Sequence, residues 1–99
     1  MPLQFRREDR NLVASGEITV TYRLWKYAHV KAGNVYATGF GDALVEEVTQ
    51  LPAALLDVAD LPLTGFRSVE EVWQSAGEHT KAIVGPDTLL YRVQFRMLP

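Results

Sequence analysis

The chain has 99 residues, 47% of them hydrophobic and 22% charged, with no cysteine and a net charge of −2. That is the length of one domain, with one core rather than two independently stable ones, and a globular rather than a disordered composition. Lack of cysteine excludes a disulfide scaffold, a thiolate zinc site and a cysteine nucleophile.

The charge is uneven. Residues 1–33 carry six basic against three acidic side chains, +3, and residues 34–99 carry four against nine, −5. A basic end on an acidic body steers a polyanion to one place. The opening "MPLQFRREDR" has no apolar run after its charges and is not a secretory signal. The longest apolar runs, such as "LPAALL", are too short to span a bilayer. The expectation is one domain over residues 1–99, cytoplasmic and without membrane contact.

In chain order, Leu3–Phe5 reads as a short first strand and residues 8–15 as a short helix closed at Gly16. Residues 17–25 alternate and are rich in β-branched and aromatic types, so they read as a strand. One of its faces carries Val20, Tyr22 and Leu24; the other carries Thr19, Thr21, Arg23 and Trp25. Ala32-Gly33-Asn34 is a turn, Val35–Thr38 a short strand, and Gly39 and Gly41 mark another turn. Residues 43–50 form a third strand, with a bulge expected where Glu46-Glu47 breaks the alternation.

From Leu51 to Gly65 the pattern is helical or irregular, bounded by Pro52 and Pro62. Ser68 and Glu71 make a capping box. Val69, Val72, Trp73 and Ala76 follow on one helical face, with Gly77 as the stop. After a turn at Gly85-Pro86-Asp87, the final strand points Leu89, Tyr91, Val93, Phe95 and Met97 one way and Leu90, Arg92, Gln94 and Arg96 the other. Such alternation implies an antiparallel sheet with one buried face. The order describes an α+β domain, a small mixed, mostly antiparallel β-barrel flanked by short helices. Residues 88–97 offer a strand edge through which a homodimer could form.

Few residues suggest chemistry. His29 and His79 lie fifty residues apart without a converging third ligand, so no metal is expected. Phosphate-loop, dinucleotide and nucleophile-elbow spacings are absent, so no cofactor is expected either. Glu46 and Glu47 point to opposite faces and read as solvated charge rather than a catalytic pair. The Thr21–Arg23–Trp25 face is different. Arginine presents a planar fork to phosphate or carboxylate, and an indole offers a stacking surface for a base. Lys26, Arg6, Arg7 and Arg10 would join this constellation if the first helix packs beside the strand. The same face equally suits a tryptophan under a loop and an arginine paired with an acid.

Several blocks occur together: Leu12-Val13 and Ser15-Gly16 leading to Thr21 and Arg23-Leu24-Trp25, then "VKAGNV" at 30–35, "GFRSVEEV" at 65–72, and a last strand ending "YRVQF". In this order they resemble the ASCH domain family, from about Phe5 to Met97. The family hallmark G-x-K-x-x-[E/T]-x-R is met by Gly16, Thr21 and Arg23, with Ile18 at the lysine position.

The resemblance implies a PUA-like fold and an RNA-related role, with the ligand in a cleft lined by the hallmark strand; Ile18 in place of the lysine makes the expected role binding of RNA or a nucleotide without catalysis. Gly16 would allow close approach, Thr21 a hydrogen bond and Arg23 an anion contact. Trp25 would stack on a base, with Lys26 beside it. The alternative is a small hydrolase, acting on N4-acetylcytidine or cutting RNA, whose catalytic set resembles a lysine, the hallmark threonine and a later acid. Only Thr21 of that set carries over, since Ile18 has no titratable nitrogen and Asp60 and Glu70 only flank the acidic position.

Overall fold

A computed structural model describes residues 3–78 and 81–99; His79 lies outside the described residues. Four strands form one sheet: β1 (Val20–Arg23), β2 (Val35–Ala37), β3 (Asp42–Pro52) and β4 (Leu89–Met97). Their spatial order is β1-β4-β3-β2, and every pairing is antiparallel. The sheet curls into a half-barrel with short helices around it, in agreement with the expected α+β class.

The helices are α1 (Arg10–Ala14), α2 (Leu61–Thr64) and α3 (Val69–Glu78). A 3₁₀ turn at Arg7–Asp9 leads into α1, and two more, Ala53–Leu55 and Val58–Asp60, lead into α2. The helical or irregular reading of residues 51–65 therefore holds. The bulge also falls where expected: Val45 pairs with Phe95 and Glu47 with Gln94, leaving Glu46 as the extra residue. At the start of α3 the Glu71 amide donates to the Ser68 hydroxyl at 3.2 Å, half of the capping box.

Several expectations need correcting. Leu3–Phe5 form no strand. Instead Leu3 is buried in the core, and Phe5 packs against Phe95 with ring centres 5.3 Å apart. The first long strand is shorter than residues 17–25, because Glu17 and Ile18 donate back to the Leu12 carbonyl and finish the α1 end. Gly16, at φ +86°, supplies the left-handed residue that this closure requires. Gly77 does not stop α3, which runs to Glu78. A side chain there would strike the Ala82 carbonyl, so its role is close approach of two backbones.

The sheet has two buried faces, not one. On one side Val93, Phe95, Ala43 and Val45 pack with Leu3, Val13, Ile18 and Val30. On the other, Val20, Tyr22 and Leu90 pack with Ala53, Leu56, Val72, Ala76 and Val84. Leu90 is thus fully buried, and Leu89, assigned to the core by alternation, is 49% exposed. The second core exists because α3 and the 3₁₀ segments cover a face that strand periodicity alone leaves to solvent. The strand at 88–97 offers no free edge, since β4 is paired on both sides; the sheet edges are β1 and β2. Among the described residues no helix is long and apolar enough to cross a membrane.

A candidate anion-binding cleft on the edge of strand β1

β1 is an edge strand, and a cleft of about 490 Å³ runs along it. The N-terminal segment Gln4–Arg6 forms one wall. Thr64, Phe66 and the α3 residues Val72, Ser75 and Ala76 form the other. Trp25, Lys26 and His29, from the loop after β1, complete the lining. Phe95 donates its amide to the Thr19 carbonyl. The antiparallel alternation then turns the backbone groups of Thr21 and Arg23 toward β4, and those of Val20 and Tyr22 away from it, along the cleft.

Arg23 is the centre of this arrangement. Its Nε donates to the Thr21 hydroxyl at 2.9 Å, its Nη2 donates to the Gln4 carbonyl at 2.6 Å, and its guanidinium lies 5.1 Å from the centre of the Phe5 ring. No carboxylate among the described residues forms an ion pair with it. Burial alone pushes its pKa down, to about 10 from the ordinary 12.5. That is still far above neutrality, so the group remains a cation. Two of its five N–H donors are engaged by these bonds, which leaves three for another acceptor. The alternative reading of this face, in which the arginine is paired with an acid, is therefore not met among the described residues.

The neighbouring cations differ. Arg6 holds Asp9 through two hydrogen bonds, at 2.9 and 3.3 Å, while its guanidinium covers the Phe66 ring at 4.8 Å. Lys26 is exposed and forms no ion pair among the described residues. Arg10 turns to Phe40 instead, 5.9 Å from that ring, and neither Arg7 nor Arg10 lines the cleft. The charged lining is thus Arg6, Arg23 and Lys26 against Asp9 alone, a positive cleft on a protein of net charge −2.

Of the residues proposed from sequence, Thr21, Arg23, Trp25 and Lys26 come together in the cleft. Gly16 does not line it; its place is the α1 end. Trp25 is half-buried. Its ring stacks on that of His29, with centres 4.5 Å apart and planes 13° apart, and Tyr91 tilts against it at 5.9 Å. Sequence reasoning passed over Phe5 and Phe66 as site residues; Phe66 left a trace only in the "GFRS" block, whose glycine takes φ +81° to end α2. Of Lys26, Lys31 and His29, which the hydrolase alternative would draw on for a base from the loop after β1, Lys26 and His29 line the cleft and Lys31 does not.

Comparison with solved structures bears on the fold. A hypothetical protein, PH0355, aligns with a TM-score of 0.75 at 14% identity, covering 96% of this chain and 95% of its own. Protein EF3133 from Enterococcus faecalis V583, assigned to family DUF984, aligns with a TM-score of 0.66 at 17% identity, covering 89% of this chain and 68% of its own. The ASCH domain from Lactobacillus crispatus JV V101 aligns with a TM-score of 0.65 at 13% identity, covering 88% of this chain and 68% of its own. The chain has the fold of an ASCH domain. No family model matches its sequence, and no curated protein does.

Two features set this cleft apart from the hallmark pattern. Ile18, at the lysine position, is a buried wall of the cleft, and a Cβ on Gly65 would come within 2.7 Å of its Cδ1. The nearby acid, Asp60, is committed elsewhere. It accepts from Arg92 Nε at 2.7 Å, from Arg92 Nη2 at 3.1 Å and from the Tyr22 hydroxyl at 2.5 Å, and it does not line the cleft. The Arg92 hydrogen bonds hold its carboxyl below the usual carboxylate range, with the Tyr22 bond assisting against burial. Tyr22 is in turn raised well above the ordinary phenol value, chiefly by burial and then by Asp60. Glu47 closes the network on Arg92 at 3.0 Å, and Glu46 lies 3.6 Å from Arg96.

Proposed function

We propose that this cleft binds a nucleotide, free or within single-stranded RNA, without transforming it. The observation that carries this reading is Arg23: a desolvated guanidinium, unpaired by any carboxylate among the described residues, with three donors unspent. Burying a charge without a counter-ion is costly, and a bound anion offsets that cost. A phosphate suits the planar fork, and the Thr21 hydroxyl, which accepts from Arg23, keeps its own proton for a second acceptor. The flat rings around the cleft suit a base, and the outward backbone groups of Val20 and Tyr22 suit its hydrogen-bonding edge.

Binding rather than hydrolysis follows from the chemistry at hand. A threonine needs a base to become a nucleophile; Ile18 supplies none, an arginine does not accept a proton, and His29, although it lines the cleft, is stacked on Trp25 and shares no hydrogen bond with Thr21 among the described residues. The direct test is an NMR titration with cytidine 5′-monophosphate and with a uridine hexanucleotide. Shifts centred on Thr21, Arg23 and Trp25 are expected. Titration to millimolar ligand with no shift at these residues would overturn the reading.

A further inference from the structure

The loop after β1 contains an aromatic pair, Trp25 and His29, whose second member has no role in the binding reading. Trp25 and His29 both line the cleft, and their rings lie nearly parallel at 4.5 Å. The chain on either side of this pair is anchored. Arg23 is fixed in β1, and after His29 comes the buried Val30, with the Lys31 amide donating to the Tyr36 hydroxyl at 2.8 Å. Between these anchors no hydrogen bond ties residues 24–30 to another segment among the described residues. Lys26, Tyr27, Ala28 and His29 are all exposed. What fixes His29 is ring contact: the stack on Trp25 and a tilted contact with Tyr27 at 5.8 Å.

We infer that His29 is a resident competitor, occupying in the free protein the indole face on which the flat ring of a bound nucleotide stacks. The inference rests on the binding reading and adds to it the residue that sets affinity for the ring. An imidazole is a flat heteroaromatic of the size needed to fill a base-stacking position. A ligand base can take that position only by displacing it, and the exposed, weakly tethered loop permits the exchange. A protein whose stacking face is occupied by its own side chain binds more weakly, by the fraction of time the face is free. A stacked aromatic pair of this kind shifts such an equilibrium by about two- to tenfold.

The test compares wild type, His29→Ala and His29→Phe for binding of cytidine 5′-monophosphate and of ribose 5-phosphate, which has the phosphate but no base. His29→Ala is expected to bind the nucleotide about two- to tenfold more tightly, within the range of one aromatic stack. Ribose 5-phosphate affinity should stay unchanged. His29→Phe, which keeps a flat ring, should bind the nucleotide no more tightly than wild type. In wild type, the His29 ring protons, shielded by the indole, should move downfield as nucleotide is added. Equal or weaker nucleotide binding by His29→Ala, or His29 resonances that stay shielded at saturation, would overturn the inference while leaving phosphate binding at Arg23 intact. If neither compound binds any of the three proteins, the binding reading fails and this inference fails with it.

Discussion

The guanidinium of Arg23 lies 5.1 Å from the centre of the Phe5 ring, at the edge of the sheet and without an ion-pair partner among the described residues. Phe5 is itself held by Phe95 from the core and by Phe40 at 6.3 Å. The cation is thus placed by packing, with no salt bridge to balance it. Structural arginines are usually paired when desolvated, and an unpaired one in a cleft is a group prepared for a ligand.

This predicts a separation of stability from binding. Arg23→Met keeps an unbranched apolar side chain beside Phe5 and removes the desolvated charge. Its unfolding free energy should equal that of wild type or exceed it by about 1 kcal/mol, since replacing buried charge by apolar volume is often neutral or stabilising. Urea denaturation of the two proteins measures this. A loss of several kcal/mol would mean that Arg23 is a structural residue.

Much of this was legible in the sequence. The alternation around Thr21 and Arg23 assigned them to one strand face because β1 is regular there, and the break at Glu46 marked a true bulge. The second core was not legible, because burial of Leu90 depends on α3 packing across the sheet from more than ten residues away. The cleft's aromatic walls were also hidden. Phe5 comes from a segment that resembles a strand but is held by ring packing and by the Arg23 hydrogen bond to the Gln4 carbonyl, tertiary effects without a local periodic signal.

The Tyr22–Asp60–Arg92 network predicts acid sensitivity. Asp60 titrates below its unfolded value, so the unfolded chain binds the proton first as pH falls. The stabilisation is therefore complete above the unfolded carboxylate value near pH ~4 and is lost as pH drops through the lower folded value. Asp60→Asn should lower stability at pH 7 by about 2 to 3 kcal/mol, because it leaves Arg92 poorly paired in a largely buried place. It should also flatten the stability profile below pH ~4, measured by thermal unfolding across a pH series.

Gly65 couples the end of α2 to the cleft floor. Its φ of +81° disfavours any other residue, and a Cβ would press on Ile18 Cδ1. Gly65→Ala should cost about 1 to 3 kcal/mol, combining backbone strain with overpacking. Chemical shifts of the Ile18 methyl groups should move with it. An unchanged melting temperature would show that the floor yields freely.

Absence of a proton-accepting group at position 18, and of any hydrogen bond between Thr21 and His29 among the described residues, predicts that N4-acetylcytidine is not turned over through Thr21. Wild type and Thr21→Ala should release acetate at the same background rate, followed by chromatography of the nucleoside. A rate that falls with the substitution would restore the hydrolase reading and require a base outside position 18.

The account turns on Arg23 as the anion-binding group of the cleft, and isothermal titration of wild type and Arg23→Met with cytidine 5′-monophosphate tests this most directly. The account predicts measurable binding by wild type and a loss of about tenfold or more in the variant, the worth of a charge-assisted hydrogen bond to phosphate. Equal affinities in the two proteins, with both folded, would contradict it.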